Sequence, residues 1–117
     1  MARWENVTNT FSEERRHYLN TYLEKCEVYD GTVEVSIFSS ESQPYEIYVS
    51  YGRMYGIIYS NAEDAYVKFE EIKGVLEEAY KENKEPSNEF IQTFSEKYHL
   101  DLPNDIFFDS ASLFELF

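Results

Sequence analysis

The stretch YEIYVSYGRMYGIIYSNAEDAYVKFEEIKGVLEEAY, residues 45–80, carries most of the fold prediction. Its first half contains two runs, 45–51 and 55–60, whose side chains alternate between two faces. A period of two residues is typical of β-strands, and the short turn at residues 52–54 places the two runs antiparallel. On the first strand Tyr45, Ile47, Val49 and Tyr51 point to one side, and on the second strand Tyr55, Ile57 and Tyr59 point to one side.

The second half of the stretch predicts a long helix. Ser60-Asn61-Ala62-Glu63 has the form of a capping box, with a hydroxyl at the cap and a carboxylate three residues later. Apolar residues then follow at helical spacing and form a stripe for covering the sheet: Ala65, Phe69, Ile72, Leu76, Ala79 and Tyr80. Gly74 interrupts this helix at a cost of about 1 kcal/mol relative to alanine. A close crossing with a neighbouring element would explain that glycine.

Shorter elements are predicted on both sides of the stretch. Thr10 and Glu13 form another capping box, and a helix is expected from there to about Glu27. The residues at helical spacing in this segment are Phe11, Leu19, Tyr22, Leu23 and Cys26. After a turn at Asp30-Gly31, alternation over residues 32–38 predicts another strand. Pro86-Ser87 starts a last helix, whose apolar residues are Phe90, Ile91, Phe94 and Tyr98.

The sequence therefore predicts a single α+β domain over residues 1–117. Its core is a three-stranded antiparallel β-meander with helices packed on one face, in the order α-β-β-β-α-α. The face of the sheet away from the helices is expected to be wet, and it carries Glu34, Ser36, Glu46, Tyr48 and Ser50. Beyond the last predicted helix, Ser112–Glu115 has room for a short helix.

The chain is strongly acidic, with 23 Asp and Glu against 10 Lys and Arg and a formal net charge of −13. That charge disfavours nucleic acid and anionic membrane surfaces as direct ligands, and it favours a basic protein partner. Aromatic residues make up 18% of the chain, which is too many for a disordered acidic tail. A lone cysteine, no secretory leader and no long apolar run lead to the expectation of a cytoplasmic protein without a membrane span.

No catalytic or metal-binding motif is found. His17 and His99 have no second histidine or cysteine at metal-ligand spacing. Cys26 falls on the apolar stripe of the predicted first helix, where a free cysteine usually behaves as a small core residue. We therefore expect a protein that is not an enzyme and holds no cofactor or metal.

Three pairs of acids on the long helix are the main candidate for binding. They lie at a seven-residue interval, which is close to two helical turns, so they stack along one side of the helix: Glu63 and Asp64, Glu70 and Glu71, Glu77 and Glu78. A solvated helix face with ordinary ion pairs would explain the same pattern. The charge is biased toward residues 54–117, which hold 14 acidic and 5 basic residues, and this favours a functional surface.

Tyr48 is a second candidate. Its place in the alternation puts it on the polar face of the sheet with Glu34 and Glu46. A tyrosine among acids is a suitable anchor for an arginine-rich partner.

A meander through YVSYGRMYGIIYS that runs straight into the acidic helix NAEDAYVKFEEIKGVLEEAY resembles small acidic anti-CRISPR proteins of phages and mobile elements. The resemblance lies in layout, size and charge over about residues 32–98. It implies a DNA-mimic inhibitor that blocks the nucleic-acid site of a basic protein such as a Cas nuclease. Toxin-neutralising immunity proteins are similar at the same level, and no residue role is carried over from either family.

A different class of function remains open from the sequence. In a structural or oligomerising protein the acidity would serve solubility alone. Residues Leu113–Phe117 would then dock on the chain's own core or on a second copy, the latter giving a homodimer.

Overall fold

An antiparallel sheet forms the centre of the molecule. The computed structural model describes residues 3–10, 17–18, 21–40 and 44–101, with His17, Tyr18 and Thr21 described by their backbone alone. The strands are β1 Trp4–Asn6, β2 His17–Tyr18, β3 Thr21–Tyr29, β4 Val33–Ser40, β5 Tyr45–Tyr51 and β6 Met54–Ser60. Two helices follow the strands, α1 Ala62–Glu82 and α2 Asn88–Tyr98.

Five strands form the main path of the sheet, in the order β1-β3-β4-β5-β6. The two-residue strand β2 also pairs with β3, on the edge that β1 occupies further along. The central register places Val35 opposite Val49 and Ile47 opposite Ile58. All of these pairings are antiparallel, and tight turns join β3 to β4 and β5 to β6.

Two tight turns set this register. Asp30 and Gly31 have φ values of 53° and 64°, and type I′ hairpin turns require positive φ at both central residues. Gly52 has φ 56° and is the first central residue of the turn between Tyr51 and Met54, as in a type II′ hairpin. Both turns thus use residues that tolerate the left-handed region.

The prediction of a three-stranded meander in the order α-β-β-β-α-α is wrong. The chain places its strands first and its two helices last, and much of the predicted first helix is strand β3. The misleading signal comes from a β-bulge between Leu23 and Lys25, where Glu24 is the extra residue. Leu23 pairs with Phe38 and Cys26 pairs with Ser36, so the bulge puts two residues three apart on one face. That spacing is the helical one.

The helices cover one face of the sheet and enclose the core. On the sheet side the fully buried residues are Val33, Val35, Ile37, Ile47, Val49, Tyr51, Met54 and Ile58. On the helical side they are met by Ala65, Phe69, Ile72, Leu76, Phe94 and Tyr98. Each fully buried aliphatic side chain of this kind contributes about 1.5–3 kcal/mol. The predicted stripe of α1 is therefore the core stripe, although Ala79 is half-buried.

The face away from the helices carries Tyr55, Ile57 and Tyr59 together with the predicted wet residues. It is drier than expected, because Ser36 is 3% exposed and its neighbours Glu34, Phe38 and Tyr48 are half-buried. Aromatic packing contributes to this, since the rings of Phe38 and Tyr48 lie 4.9 Å apart.

Helix ends agree with the sequence to within a residue. The cap of α1 is Asn61, one residue after the predicted Ser60, and its side chain accepts a hydrogen bond from the Asp64 N–H at 2.8 Å. Ser87 caps α2 by accepting from the Phe90 N–H at 3.0 Å. The helix ends at His99, which has the left-handed conformation common at such ends.

After α2 the chain returns to the sheet. Asp101 forms a bridge with Ile57 on β6, with its N–H donating to the Ile57 carbonyl at 2.8 Å. Gly56 makes room for this contact, because a Cβ there would lie 2.7 Å from the Asp101 carbonyl oxygen.

Several predicted features lie outside the described residues. They are the cap residues 11–13, the loop residues 41–43, the short helix at Ser112–Glu115 and the proposed homodimer segment Leu113–Phe117.

Candidate functional site

The three acidic pairs of α1 lie on the side of the helix opposite its buried stripe. Ala65, Phe69, Ile72 and Leu76 are fully buried, whereas all but one of the six acids are exposed; Glu77 is half-buried. The exposed acids are Glu63, Asp64, Glu70, Glu71 and Glu78. The prediction of a stacked acidic side is consistent with this placement, but the six residues do not share one role.

Glu70 belongs to a charge cluster between α1 and β3, which we define as Lys25, Glu27, Glu70 and Lys73. Glu27 and Lys73 are its largely buried members, whereas the Glu70 side chain is 58% exposed. Glu27 is 7% exposed on the inner face of β3, and its carboxylate contacts Lys73 Nζ at 2.8 Å and Lys25 Nζ at 3.0 Å. Glu70 completes the cluster from α1, at 3.1 Å from Lys73 and 3.7 Å from Lys25. Both ammonium groups also lie 5.5 Å from the centre of the Phe69 ring.

The pKa values within the cluster follow from its pairing. Burial alone would raise the pKa of Glu27, but hydrogen bonds from Lys73 and Lys25 outweigh it and hold that pKa below its ordinary value. Burial would lower the pKa of Lys73, whereas Glu27 and Glu70 raise it above the ordinary value. Glu27 and Lys73 are therefore both charged at neutral pH, and their ion pair ties β3 to α1.

Glu77 is the second acid with a structural contact. Its carboxylate accepts a hydrogen bond from the Trp4 indole N–H at 2.9 Å and pairs with Lys81 at 3.0 Å. Lys81 chiefly, with some help from Trp4, lowers the pKa of Glu77. Lys73 also lies 5.4 Å from the Trp4 ring centre. This side of α1 thus holds β1 as well as β3.

Four acids remain, and we call Glu63, Asp64, Glu71 and Glu78 the acidic ridge. None of them pairs with a basic side chain within the residues that the structure describes. The ridge runs from Glu63 to Glu78, about 22 Å along the helix axis. A B-form duplex carries about three times as many charges over that length, so the ridge offers about a third of its charge density.

Tyr48, Glu34 and Glu46 lie elsewhere. They belong to the sheet face away from the helices, so the structure does not bring them together with the acidic ridge. Tyr48 is half-buried, and its hydroxyl donates to the Glu46 carboxylate at 3.1 Å. Burial first, and Glu46 second, raise its pKa. Glu34 accepts a hydrogen bond from the Ser36 hydroxyl at 3.3 Å.

A groove between α1 and α2 joins part of the ridge to an apolar floor. Its volume is about 590 Å³, and it is lined by Glu70, Glu71, Gly74, Val75, Glu78, Ala79, Glu82 and Phe90. We call it the α1–α2 groove. The expected close crossing at Gly74 is wrong, because a Cβ there would meet no atom within 4 Å in the described part of the chain. An interior glycine among acids was the sequence signal for this groove.

The residues considered for catalysis are placed separately. Cys26 is buried on β3, with the Ser36 hydroxyl 3.2 Å from its sulfur, and burial chiefly raises the pKa of its thiol to about 11. His99 is the exposed residue that ends α2, and His17 lies in β2. Among the described residues no three His, Cys, Asp or Glu side chains are grouped closely enough to hold a metal ion.

The helices of the described ranges lack the combination of length and apolar character that crossing a membrane requires. Comparison of the chain with protein-family models, with curated protein sequences and with solved structures finds no match.

Proposed function

We propose that this protein is a non-enzymatic inhibitor that binds a basic, nucleic-acid-handling protein through the acidic ridge and blocks its nucleic-acid site. A Cas nuclease is one partner of this class, and the basic nuclease that an immunity protein neutralises is another. The resemblance in size, layout and charge to acidic DNA-mimic inhibitors motivates the choice of partner.

The observation that carries this function is the division of charge on α1. Glu70 and Glu77 contact lysines and Trp4 inside the molecule, whereas Glu63, Asp64, Glu71 and Glu78 face outward without a basic partner among the described residues. The first group makes contacts within the molecule. The second group makes no ion pair in the described part of the chain, which leaves those four carboxylates for a cationic surface.

Charge density limits the form of the mimicry. With about a third of the charge density of a duplex, the ridge competes for a local basic patch and does not replace a whole DNA segment. Binding of this kind weakens with salt, because added ions screen the attraction between the exposed carboxylates of the ridge and the basic patch of the partner.

The test compares two variants of equal net charge. The ridge variant carries Glu63→Gln, Asp64→Asn, Glu71→Gln and Glu78→Gln. The control variant carries Glu5→Gln, Glu85→Gln, Glu89→Gln and Glu96→Gln, which are exposed acids away from the ridge. Proteins captured from the source cells by each immobilised variant are identified by mass spectrometry and then assayed for duplex binding by fluorescence anisotropy.

We expect wild type and control to capture a basic protein and to displace duplex DNA from it, and the ridge variant to do neither. Equal losses in both variants would show that net charge alone is responsible. A captured protein that keeps its full affinity for DNA would also contradict this function.

A further inference from the structure

We propose that the α1–α2 groove receives an amphipathic basic helix of the partner. This deepens the proposed function and rests on it, because it identifies the part of the partner that the acidic surface binds. The groove has three properties that suit such a helix: its length, its floor and its charge.

The groove follows α1 for more than three turns. Its lining residues on α1 run from Glu70 to Glu82, a distance of about 18 Å along the axis, and Phe90 of α2 adds a further apolar contact surface. A partner helix of three to four turns matches that length. Binding of an amphipathic helix in such a groove is a recurrent mode of peptide recognition.

The floor is apolar and low. Gly74, Val75 and Ala79 supply it from α1. Helices pack about 8–10 Å apart depending on the side chains at the contact, and small residues allow the shorter distances. The floor therefore suits the apolar side of an incoming helix.

Gly74 lies on an open surface of α1, which indicates that another molecule packs closely against the helix at this position. Glycine is the least favourable interior helix residue after proline, so its presence calls for a reason. No atom of the described chain lies within 4 Å of the position that its Cβ would occupy. An external helix that passes over this position supplies the reason that the internal packing does not.

The rim selects the charge of the occupant. Four glutamates and no lysine or arginine line the groove, and Glu70 is already engaged by Lys25 and Lys73. Glu71, Glu78 and Glu82 are left for an incoming cation. Arginine or lysine residues four apart on the partner helix would lie one turn from each other, as Glu78 and Glu82 do.

A buried hydroxyl adjoins the same rim. Tyr98 is 7% exposed, and its hydroxyl makes no hydrogen bond of normal geometry within the described structure. Burial first, and Glu71 second, raise its pKa to about 12. Glu71 therefore lies beside the Tyr98 hydroxyl as well as on the rim of the groove, where a cation from the partner would neutralise its charge.

Charge also argues against two other occupants. Residues 102–117 contain three acids and no base, so they repel the rim. A second copy of the chain carries the same net charge of −13 and the same acidic surface. A basic helix is the occupant that the rim attracts.

The test uses a fluorescent 18-residue amphipathic helical peptide of arginine, leucine and alanine, with a scrambled peptide of the same composition as its control. Binding to the full chain is measured by fluorescence anisotropy. We expect the patterned peptide to bind at least about tenfold more tightly than the scrambled one, since only the former presents one apolar and one basic face.

Two variants address the groove. Gly74→Leu fills the floor, and we expect it to weaken peptide binding about tenfold while Tm stays equal or rises by about 4 °C, because leucine is the better helix former. Glu78→Gln with Glu82→Gln removes two rim charges and should weaken binding about tenfold. The matched pair Glu5→Gln with Glu96→Gln removes two exposed charges that belong to neither the groove nor the acidic ridge, and it should change affinity by less than about threefold.

Two further outcomes separate a failure of the groove proposal from a failure of the proposed function. If Gly74→Leu binds the peptide like wild type while the ridge variant still loses competition with DNA, the groove is wrong and the ridge function stands. If the wild type binds neither the peptide nor a DNA-binding protein, both fail.

Each of the two alternative occupants, the chain's own end and a second copy, predicts a distinct experimental result. NMR shift changes in residues 102–117 on introducing Gly74→Leu, without peptide, would assign the groove to the chain's own end. A dimer in sedimentation that Gly74→Leu dissociates would assign it to a second copy. Either result overturns the basic partner helix.

Discussion

The two sides of α1 carry similar numbers of charged groups with different consequences. On the inner side Glu70 and Lys73 meet Lys25 and Glu27, and every charge has an opposite partner within 4 Å. On the outer side the acidic ridge has no basic partner in the described structure. A charge that is paired and buried holds the fold together, whereas an unpaired exposed charge is available to another molecule.

Among substitutions that compare the two sides of α1, Glu27→Gln is expected to lower the free energy of unfolding the most. Removing the carboxylate leaves Lys73, whose side chain is 12% exposed, without its closest partner. Breaking a buried pair in this way costs about 3 kcal/mol of unfolding free energy. Urea denaturation measures the loss, and Glu71→Gln serves as the control because it removes one charge from the outer side.

Adding Lys73→Gln to Glu27→Gln should recover part of that loss, since no buried charge is then unpaired. A loss below about 0.5 kcal/mol for Glu27→Gln would place the cluster in the same class as surface ion pairs and would remove the contrast between the sides.

Lowering the pH should reveal the contribution of ionised Glu27 to stability, with a smaller effect than the substitution Glu27→Gln. The pKa of Glu27 is lower in the folded protein than the ordinary value of 4.5. Its contribution to stability is therefore complete above pH 4.5 and is lost as the pH falls through the folded pKa. Urea midpoints measured between pH 7 and pH 3 should fall more steeply for wild type than for Glu27→Gln. Parallel curves would mean that Glu27 does not gain stability from its lysines.

The smallest effect is expected on the outer side. Glu71→Gln combined with Glu78→Gln should change the unfolding free energy by no more than about 0.5 kcal/mol, because both residues are exposed and lack basic partners. The measurement is again urea denaturation at neutral pH. A destabilisation above 1 kcal/mol would show that the ridge contributes to folding, and the distinction between the two sides would then disappear.

The strands and helices with strong local patterns were predictable. β5 has the predicted bounds. The cap of α1 is Asn61, one residue after the predicted Ser60, and α2 begins after Ser87, within its predicted start at Pro86-Ser87. Periodicity identified these elements because each one buries a clear apolar face.

Strand β3 was not predictable in the same way, for two physical reasons. Its inner face carries Lys25 and Glu27, which read as polar although α1 covers them. The bulge at Glu24 then shifts the alternation by one residue. Pairing with β4 and ion pairs with α1, both long-range contacts, decide the conformation of this segment.

The candidate site was predictable in part. The seven-residue interval identified the acidic side of α1. No local pattern distinguishes Glu71, which faces out, from its neighbour Glu70, which forms an ion pair with Lys25 of β3. The alternation of β5 placed Tyr48 on the face away from the helices, and Tyr48 lies on that face in the structure.

The bridge between Asp101 and Ile57 has a consequence for self-association. β6 is the last strand of the sheet path and carries MYGIIYS, a run of β-forming residues whose outward backbone groups would recruit strands from other molecules. Asp101 occupies the middle of this edge through two backbone hydrogen bonds and places an exposed carboxylate there. A single residue following α2 thereby interrupts the surface on which fibrillar stacking would begin.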